Sequence, residues 1–435
     1  MNLKNNFSKI KGYVLLKNGE VYEPYLQFNQ VVDVLIKDNL IIQIKKNIPA
    51  KSNYHTIDCK GCLITNGFVD LHAHFREPGF EFKETILSGS MSAFVGGYTR
   101  VCTMPNTNPV IDTPELIDHV IRASIETPVY IHPIGAITKS QKGMELAEIG
   151  KMVSSGAIAI SDDGLPVENS QIMRYALEYS KKFNIPVINH AEDLCLANNG
   201  LMHEGDNSLK LGLPGNPSIA ESSMIFRDVS IAEYVGGKLH VPHISSKESV
   251  AIIKKYKSMG VNVTSEITPH HLSLTDDFLL DYDTNAKVAP PIRSEEDQKA
   301  LIEAIEDGTI DCIATDHAPH AIEDKERDFD SACCGMIGLE SAFGLVNKTL
   351  NKSKMSFKSI VDLFTIKPSK IFNIAQNNIK EGNQAELNIL NPNVTWTFKR
   401  NNIYSKSYNS PIVGQRLKGK VVGVINKGYF FNSPL

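Results

Sequence analysis

From Gly67 onward the chain alternates short, continuous apolar runs with amphipathic stretches of ten or more residues. The runs are Phe68–Leu71, Thr99–Thr103, Val129–Ile134, Ala157–Ser161, Pro186–Asn189, Lys238–Pro242, Asn262–Ser265 and Ile310–Thr315. Runs without polar alternation fit parallel strands buried on both faces. Helical patterns such as Ile172–Phe183 and Glu296–Ile305, or room for one, lie between them. Eight such units over about 250 residues predict a (β/α)8 barrel within an α/β fold. A doubly wound open sheet is the alternative, because periodicity does not register closure.

The two ends have a different texture. Gly12–Leu16, Gly19–Tyr22, Val31–Ile36 and Leu40–Ile44 read as short strands, mostly β-branched or aromatic, separated by turn residues. Ala385–Leu390, Thr395–Phe398, Val421–Ile425 and Tyr429–Phe431 repeat that texture near the other end. Charge draws the same division. The net charge of −4 over 435 residues is too small to argue for a polyanionic partner, but residues 1–56 carry +4 and residues 394–435 carry +7, leaving −15 between. The two ends differ from the middle and are expected to belong together. The basic tail residues are spread among strand positions, which favours a solvated face over a nucleic-acid patch.

Several classes fall away. Only four consecutive apolar residues (Tyr13–Leu16) stand near the N-terminus, so no signal peptide is expected, and no run approaches the roughly 20 residues of a membrane span. Seven scattered cysteines form no repeated spacing; the lone pair Cys59/Cys62 is read as structural. These features together point to a reducing, cytoplasmic enzyme.

Chemistry collects at the C-terminal ends of the strands. Strand one ends in His72-Ala73-His74, strand two near Asn106, strand four in Asp162-Asp163, strand five in His190, strand six in His243 and strand eight in Asp316-His317. In a barrel these ends converge on one rim. A lone His at a strand end is more often structural, but residues i and i+2 of a strand point the same way, so His72 and His74 can face one ion. Four imidazoles and two carboxylates suffice for two divalent ions sharing a carboxylate bridge, an arrangement that activates water. His119, His132, His203 and His240 fit no constellation. His270 and His271 follow Thr268-Pro269, where stabilising a turn is as good a reading as a site role.

Three segments resemble the dihydroorotase signatures of the amidohydrolase superfamily: Asp70–Gly79 (DLHAHFREPG), Met104–Thr107 (MPNT) and Ala314–His320 (ATDHAPH). The match runs in order from about residue 60 to 390. The resemblance implies a small β-sandwich domain built from residues 1–61 and 384–435 beside a metal-dependent hydrolase barrel of residues 62–383. It also implies one or two Zn2+ ions, with His72, His74 and Asp316 as ligands of the first and His190 and His243 of the second. Where many relatives bridge the metals with a carbamylated lysine, this chain has Ser161-Asp162-Asp163-Gly164. That resembles the bacterial type I branch, in which an Asp bridges; Asp163 is the choice and Asp162 the reserve.

By the same resemblance Arg76, Asn106 and His320, with His74, hold the substrate, and a guanidinium fork suits its carboxylate. Two departures bear on substrate contacts. Ala289 stands where relatives often carry Asn, and Cys334 precedes Gly335 where an aromatic is common; backbone contacts survive these changes, but an Asn side-chain contact at 289 does not. The implied activity is reversible cyclisation of N-carbamoyl-L-aspartate to L-dihydroorotate in pyrimidine biosynthesis, with Asp316 shuttling the proton. Residues 317–338 read as a mobile loop able to close over substrate. Another cyclic-amide hydrolase, an allantoinase or dihydropyrimidinase, is the enzymatic alternative. A non-catalytic partner of aspartate transcarbamoylase is the alternative of another class, and it would have lost ligands that this chain keeps. The partners expected are the small-molecule substrate, a second copy in a homodimer and aspartate transcarbamoylase, with no nucleic acid and no membrane.

Overall fold

The computed structural model describes residues 7–433. Both chain ends contribute to one nine-stranded sheet. Its order runs Phe7–Lys9, Tyr429–Asn432, Arg416–Asn426, Leu387–Thr397, Leu63–Asn66, Tyr13–Glu23, Phe28–Lys37 and Leu40–Lys45, with Tyr54–Asp58 also beside Tyr13–Glu23. Two antiparallel seams join the ends, Phe7–Lys9 with Phe431–Tyr429 and Leu387–Leu390 with Asn66–Leu63, and the second carries the sheet past residue 61. Two pairs of expected strands are each one strand here. Gly12–Leu16 and Gly19–Tyr22 belong to Tyr13–Glu23, and the register shift between Leu16 and Gly19 explains the polar Lys17-Asn18 break. Ala385–Leu390 and Thr395–Phe398 likewise fall on Leu387–Thr397, again with a shift at the polar interruption. Cys59 and Cys62 pack into the apolar face of this sheet with Val14, Leu16, Val34 and Ile64.

The middle of the chain supplies eight parallel strands, labelled β1 to β8: Phe68–Ala73, Tyr98–Thr103, Tyr130–Pro133, Ile160–Ser161, Val187–Ile188, Leu239–Val241, Val263–Ile267 and Cys312–Ile313. All eight lie where the apolar runs predict them, although three are only two residues long. β1 to β3 form one parallel sheet and β4 to β8 another. Single bridges join them at both edges, Gly135 to Ile160 and Ala73 to His317. At the second seam Thr315 N and Oγ1 donate to Asp70 at 2.9 and 2.5 Å, and His74 N donates to the His317 carbonyl at 2.8 Å. Val69, Leu71, Cys102, Met104, Ile134, Ala159, Ile188, Cys312 and Ala314, drawn from four of these strands (β1, β2, β5 and β8) and from residues flanking β2, β3, β4 and β8, form one buried cluster. Helices pack outside. The helix Glu295–Asp307 is capped by the Ser294 side chain on Asp297 N, carries three acids in its first turn against the dipole, and stops at Gly308 with φ 82°. Among the described residues no helix is long and apolar enough to cross a membrane.

Candidate metal and substrate site

The C-terminal ends of the parallel strands bring His72, His74, Asp163, His190, His243 and Asp316 together. Asp163 is the centre. Its Oδ2 lies 3.3 Å from His72 Nε2 and 3.5 Å from His74 Nε2. Its Oδ1 lies 3.3 Å from His243 Nε2 and 3.7 Å from His190 Nδ1. Asp316 Oδ1 is 3.0 Å from His74 Nε2 and 3.6 Å from His72 Nε2. Two donor groups result, His72/His74/Asp163 and Asp163/His190/His243, which share one carboxylate. Both are buried.

Adjacent strand residues point to opposite sides, which separates the two aspartates. Asp162 turns away from this cluster, accepting from Ile137 N at 2.8 Å, Thr138 N at 3.0 Å and the Thr138 hydroxyl. Burial pushes its carboxyl up to about 6 against those bonds. After Asp163 the backbone needs Gly164: its φ is +85°, and a Cβ there would lie 3.0 Å from Asn106 Nδ2. Arg76, His243 and Asp316 also hold positive φ of 61°, 33° and 45°. Such backbone costs about 1–3 kcal/mol per residue and clusters where function needs it.

A second layer orients the imidazoles. His72 Nδ1 donates to Glu266 Oε1 at 2.8 Å, and Glu266 Oε2 lies 3.0 Å from His240 Nε2, whose Nδ1 meets Thr264 Oγ1 at 2.8 Å. Burial raises the Glu266 carboxyl, but the bonds from His240 and His72 outweigh it and hold the group down to about 2. His74 Nδ1 donates to Asn106 Oδ1 at 2.8 Å. Both Nδ1 atoms are thereby occupied, which turns the Nε2 lone pairs into the cluster. His240 is therefore part of the constellation, contrary to the sequence reading, and Glu266 was missed. An acid inside the apolar run of β7 was the available signal.

The donor set fits divalent metal. His72 Nε2 is buried without a hydrogen-bond partner and faces two carboxylates, and the shared Asp163 separates two nitrogen-rich groups. An unpartnered imidazole nitrogen in that position is what a metal ligand leaves when its ion is taken away.

The candidate substrate residues sit on the same rim. Arg76 Nε donates to the Pro319 carbonyl at 3.2 Å, and its terminal nitrogen is 3.5 Å from His320 Nε2. The neighbouring acids are engaged elsewhere: Glu77 accepts from Ile86 N, Glu81 from Gly79 N, and Glu84 from Ser88, Ser405 and Lys406. Among the described residues no carboxylate pairs with Arg76. His320 Nε2 donates to the Cys334 carbonyl at 2.8 Å. Gly335 N donates to the Lys287 carbonyl at 2.9 Å, and the Gly335 carbonyl accepts from Lys325 Nζ and Asn409 Nδ2, both at 3.0 Å. Ala289 offers only a methyl between Val288 and Pro290, and the Pro290 carbonyl accepts from His271 Nε2 at 2.9 Å. His271 also bonds Thr268, the turn-stabilising role open to it from sequence.

The loop after strand eight, expected from sequence to lack regular structure, is tied down at several points. It contains the helical turn Ile322–Lys325, and two buried lysines pin it. Lys287 Nζ donates to the carbonyls of Phe329, Asp330 and Ala332 at 2.7, 3.0 and 2.8 Å, and Lys325 Nζ donates to Cys333 O at 2.7 Å.

Comparison with known proteins settles the family. A dihydroorotase from Geobacter metallireducens is 42% identical over 416 residues, covering 95% of this chain and 98% of its own. One from Acetivibrio thermocellus is 43% identical over 417 residues with the same coverage. The chain belongs to the dihydroorotase family. The family model for Dihydro-orotase-like proteins matches residues 61–249, which holds every candidate ligand except Asp316. Among solved structures, L-hydantoinase (dihydropyrimidinase) from Arthrobacter aurescens superposes with a TM-score of 0.84 at 24% identity, covering 98% of this chain and 97% of its own. Dihydropyrimidinase from Brevibacillus agri gives 0.82 at 20%, over 96% and 94%. At these identities the likeness carries the mixed α/β fold and nothing finer.

Proposed function

We propose that this member of the dihydroorotase family is a cyclic-amide hydrolase interconverting N-carbamoyl-L-aspartate and L-dihydroorotate in pyrimidine biosynthesis. The observation that carries the substrate choice is Arg76, a guanidinium beside the Asp163 cluster that no carboxylate pairs with among the described residues. A half-buried cation is stabilised when an anion meets it, and the dihydroorotate carboxylate is such an anion. Dihydrouracil, a neutral ring, has none. His320 and Asn106 Nδ2 complete that end of the pocket, with contacts at Ala289 and Cys334-Gly335 to the backbone.

His72, His74 and Asp316 would hold one divalent ion and His190 and His243 a second, with Asp163 between the two groups; Zn2+ would suit this nitrogen–oxygen set. When bound, the ions supply Lewis-acid polarisation of the ring amide carbonyl and lower the pKa of water. Asp316 does the proton work. Its Oδ1 faces the cluster, 3.0 Å from His74 Nε2 and 3.6 Å from His72 Nε2, and an aspartate is ordinarily ionised near pH 7, able to accept a proton there. In hydrolysis it takes the proton of the attacking water and delivers it to the ring nitrogen as the C–N bond breaks. In cyclisation it removes the proton of the carbamoyl nitrogen.

The two parallel sheets and their seams are read as one (β/α)8 barrel of residues 62–383. Residues 1–61 and 384–435 are read as a composite β-domain. A cytoplasmic homodimer that associates with aspartate transcarbamoylase is the setting this reading favours. The test is an ultraviolet assay of purified, metal-loaded protein with dihydroorotate and dihydrouracil in parallel. Preferential turnover of dihydrouracil would overturn the assignment.

A further inference from the structure

A third group of metal-type side chains lies outside the Asp163 cluster. His320, Asp324 and Cys333 bring an imidazole nitrogen, a carboxylate oxygen and a thiol within 4.8 Å of one another. None is fully exposed. What makes the group more than a coincidence is the state of His320. Its Nε2 faces the Cys334 carbonyl at 2.8 Å, an acceptor that fixes Nε2 as the protonated nitrogen. Nδ1 then carries a lone pair, and Lys83 Nζ donates to it at 3.3 Å. The ring is neutral, since burial and the nearby Arg76 and Lys83 hold it down to about 3. An imidazole whose far N–H is tied to a backbone carbonyl is the usual form of a metal-ligating histidine.

A cation already occupies this niche. Lys83 Nζ is 2.9 Å from Asp324 Oδ2 as well as 3.3 Å from His320 Nδ1. Its ammonium lies 5.9 and 5.6 Å from the Phe80 and Phe82 rings, so it has a place against aromatic faces if displaced. Opposing charge is present too, from Arg76 and Lys325. A carboxylate and a thiolate together offset it.

We propose that His320 Nδ1, Asp324 and Cys333 form a further divalent-metal site beside the substrate pocket, suited to a thiophilic ion such as Zn2+, which binds by displacing the Lys83 ammonium. On binding, the Cys333 thiol loses its proton to solvent and a metal–sulfur bond forms; no electrons are transferred. Three protein ligands leave one tetrahedral position open. The site stands on these side chains alone. Its effect on catalysis rests on the substrate reading above: an ion on Nδ1 fixes His320 beside Arg76 and alters KM rather than the metal content of the Asp163 cluster.

The experiment adds Co2+ to the holoenzyme with its resident metals in place. One equivalent should give thiolate-to-cobalt charge-transfer absorption in the near ultraviolet. Cys333→Ser should abolish the band, Asp324→Asn should weaken binding by more than about tenfold, and Lys83→Met should tighten it. Cys333→Ser without added metal should keep wild-type turnover. A wild-type protein with no band, or a band that survives Cys333→Ser, overturns the site. A band without any change in KM for dihydroorotate overturns its coupling to substrate, and equal failure to turn over dihydroorotate in every variant would count against the substrate reading instead.

Discussion

Replacing Arg76 with Met separates recognition of the substrate from the metal chemistry. In the structure the guanidinium spends one donor on the Pro319 carbonyl at 3.2 Å, and among the described residues no carboxylate pairs with it. Its terminal nitrogens, one of them 3.5 Å from His320 Nε2, are placed to meet a ligand carboxylate. Losing a charge-assisted, partly desolvated contact of that kind costs roughly 2–5 kcal/mol of transition-state binding. At about 1.4 kcal/mol per tenfold, this is roughly thirty- to several-thousand-fold in kcat/KM. Methionine keeps the length of the stem, and Arg76 contributes no metal ligand, so metal content measured by elemental analysis should be unchanged. Residual action on dihydrouracil should be barely altered, because that ring presents no anion. Paired ultraviolet assays on the two substrates check this. If both activities fall together, or metal is lost with them, Arg76 only orders the loop through Pro319 and the substrate reading loses its support.

Four further outcomes follow from named contacts. Asp163→Ala should lose metal and activity, with no rescue by added bicarbonate, as read by elemental analysis and turnover. Asp162→Ala should instead lower the melting temperature, since it strands the donors of Ile137 and Thr138 at about 1–3 kcal/mol for each unsatisfied group; metal-loaded protein that remains folded should turn over normally. Glu266→Gln should weaken metal affinity about 10–100-fold by loosening His72, measured by competition with a chelator. Lys325→Met should leave the Cys333 carbonyl without its donor and the Gly335 carbonyl with Asn409 alone, so limited proteolysis should open the 320–335 loop faster than in the wild type.

What was legible in the chain is what repeats locally. Each apolar run marks a strand, and a chemically active residue just after it marks the rim, so His72, His74, His190, His243 and Asp316 could be gathered before any pairing was known. The terminal strands were legible for the same reason, but their merging into longer strands was not. A polar pair such as Lys17-Asn18 looks like a turn in sequence and is a register shift in the sheet, because only the partner strand decides which it is.

What was not legible depends on partners far away in the chain. Alternation places Asp162 and Asp163, just past the end of β4, on opposite sides of the chain, but nothing local says which side is the rim; the Thr138 segment answers that by supplying three donors to Asp162. His240 had no companion in sequence because its companion, Glu266, lies on the next strand, and its relevance passes through that carboxylate to His72. The loop after Asp316 shows the limit most clearly. Its acids, glycine and lack of period are the composition of a free segment, yet Lys287 from a different loop reaches three of its carbonyls. Lysine in a sequence reads as solvated surface, and here burial with carbonyls around each ammonium makes two of them fasteners. The substrate end of the site is therefore held by positive charge twice over, once by Lys287 and Lys325 in shaping the loop, and once by Arg76 in what that loop leaves exposed to an anion.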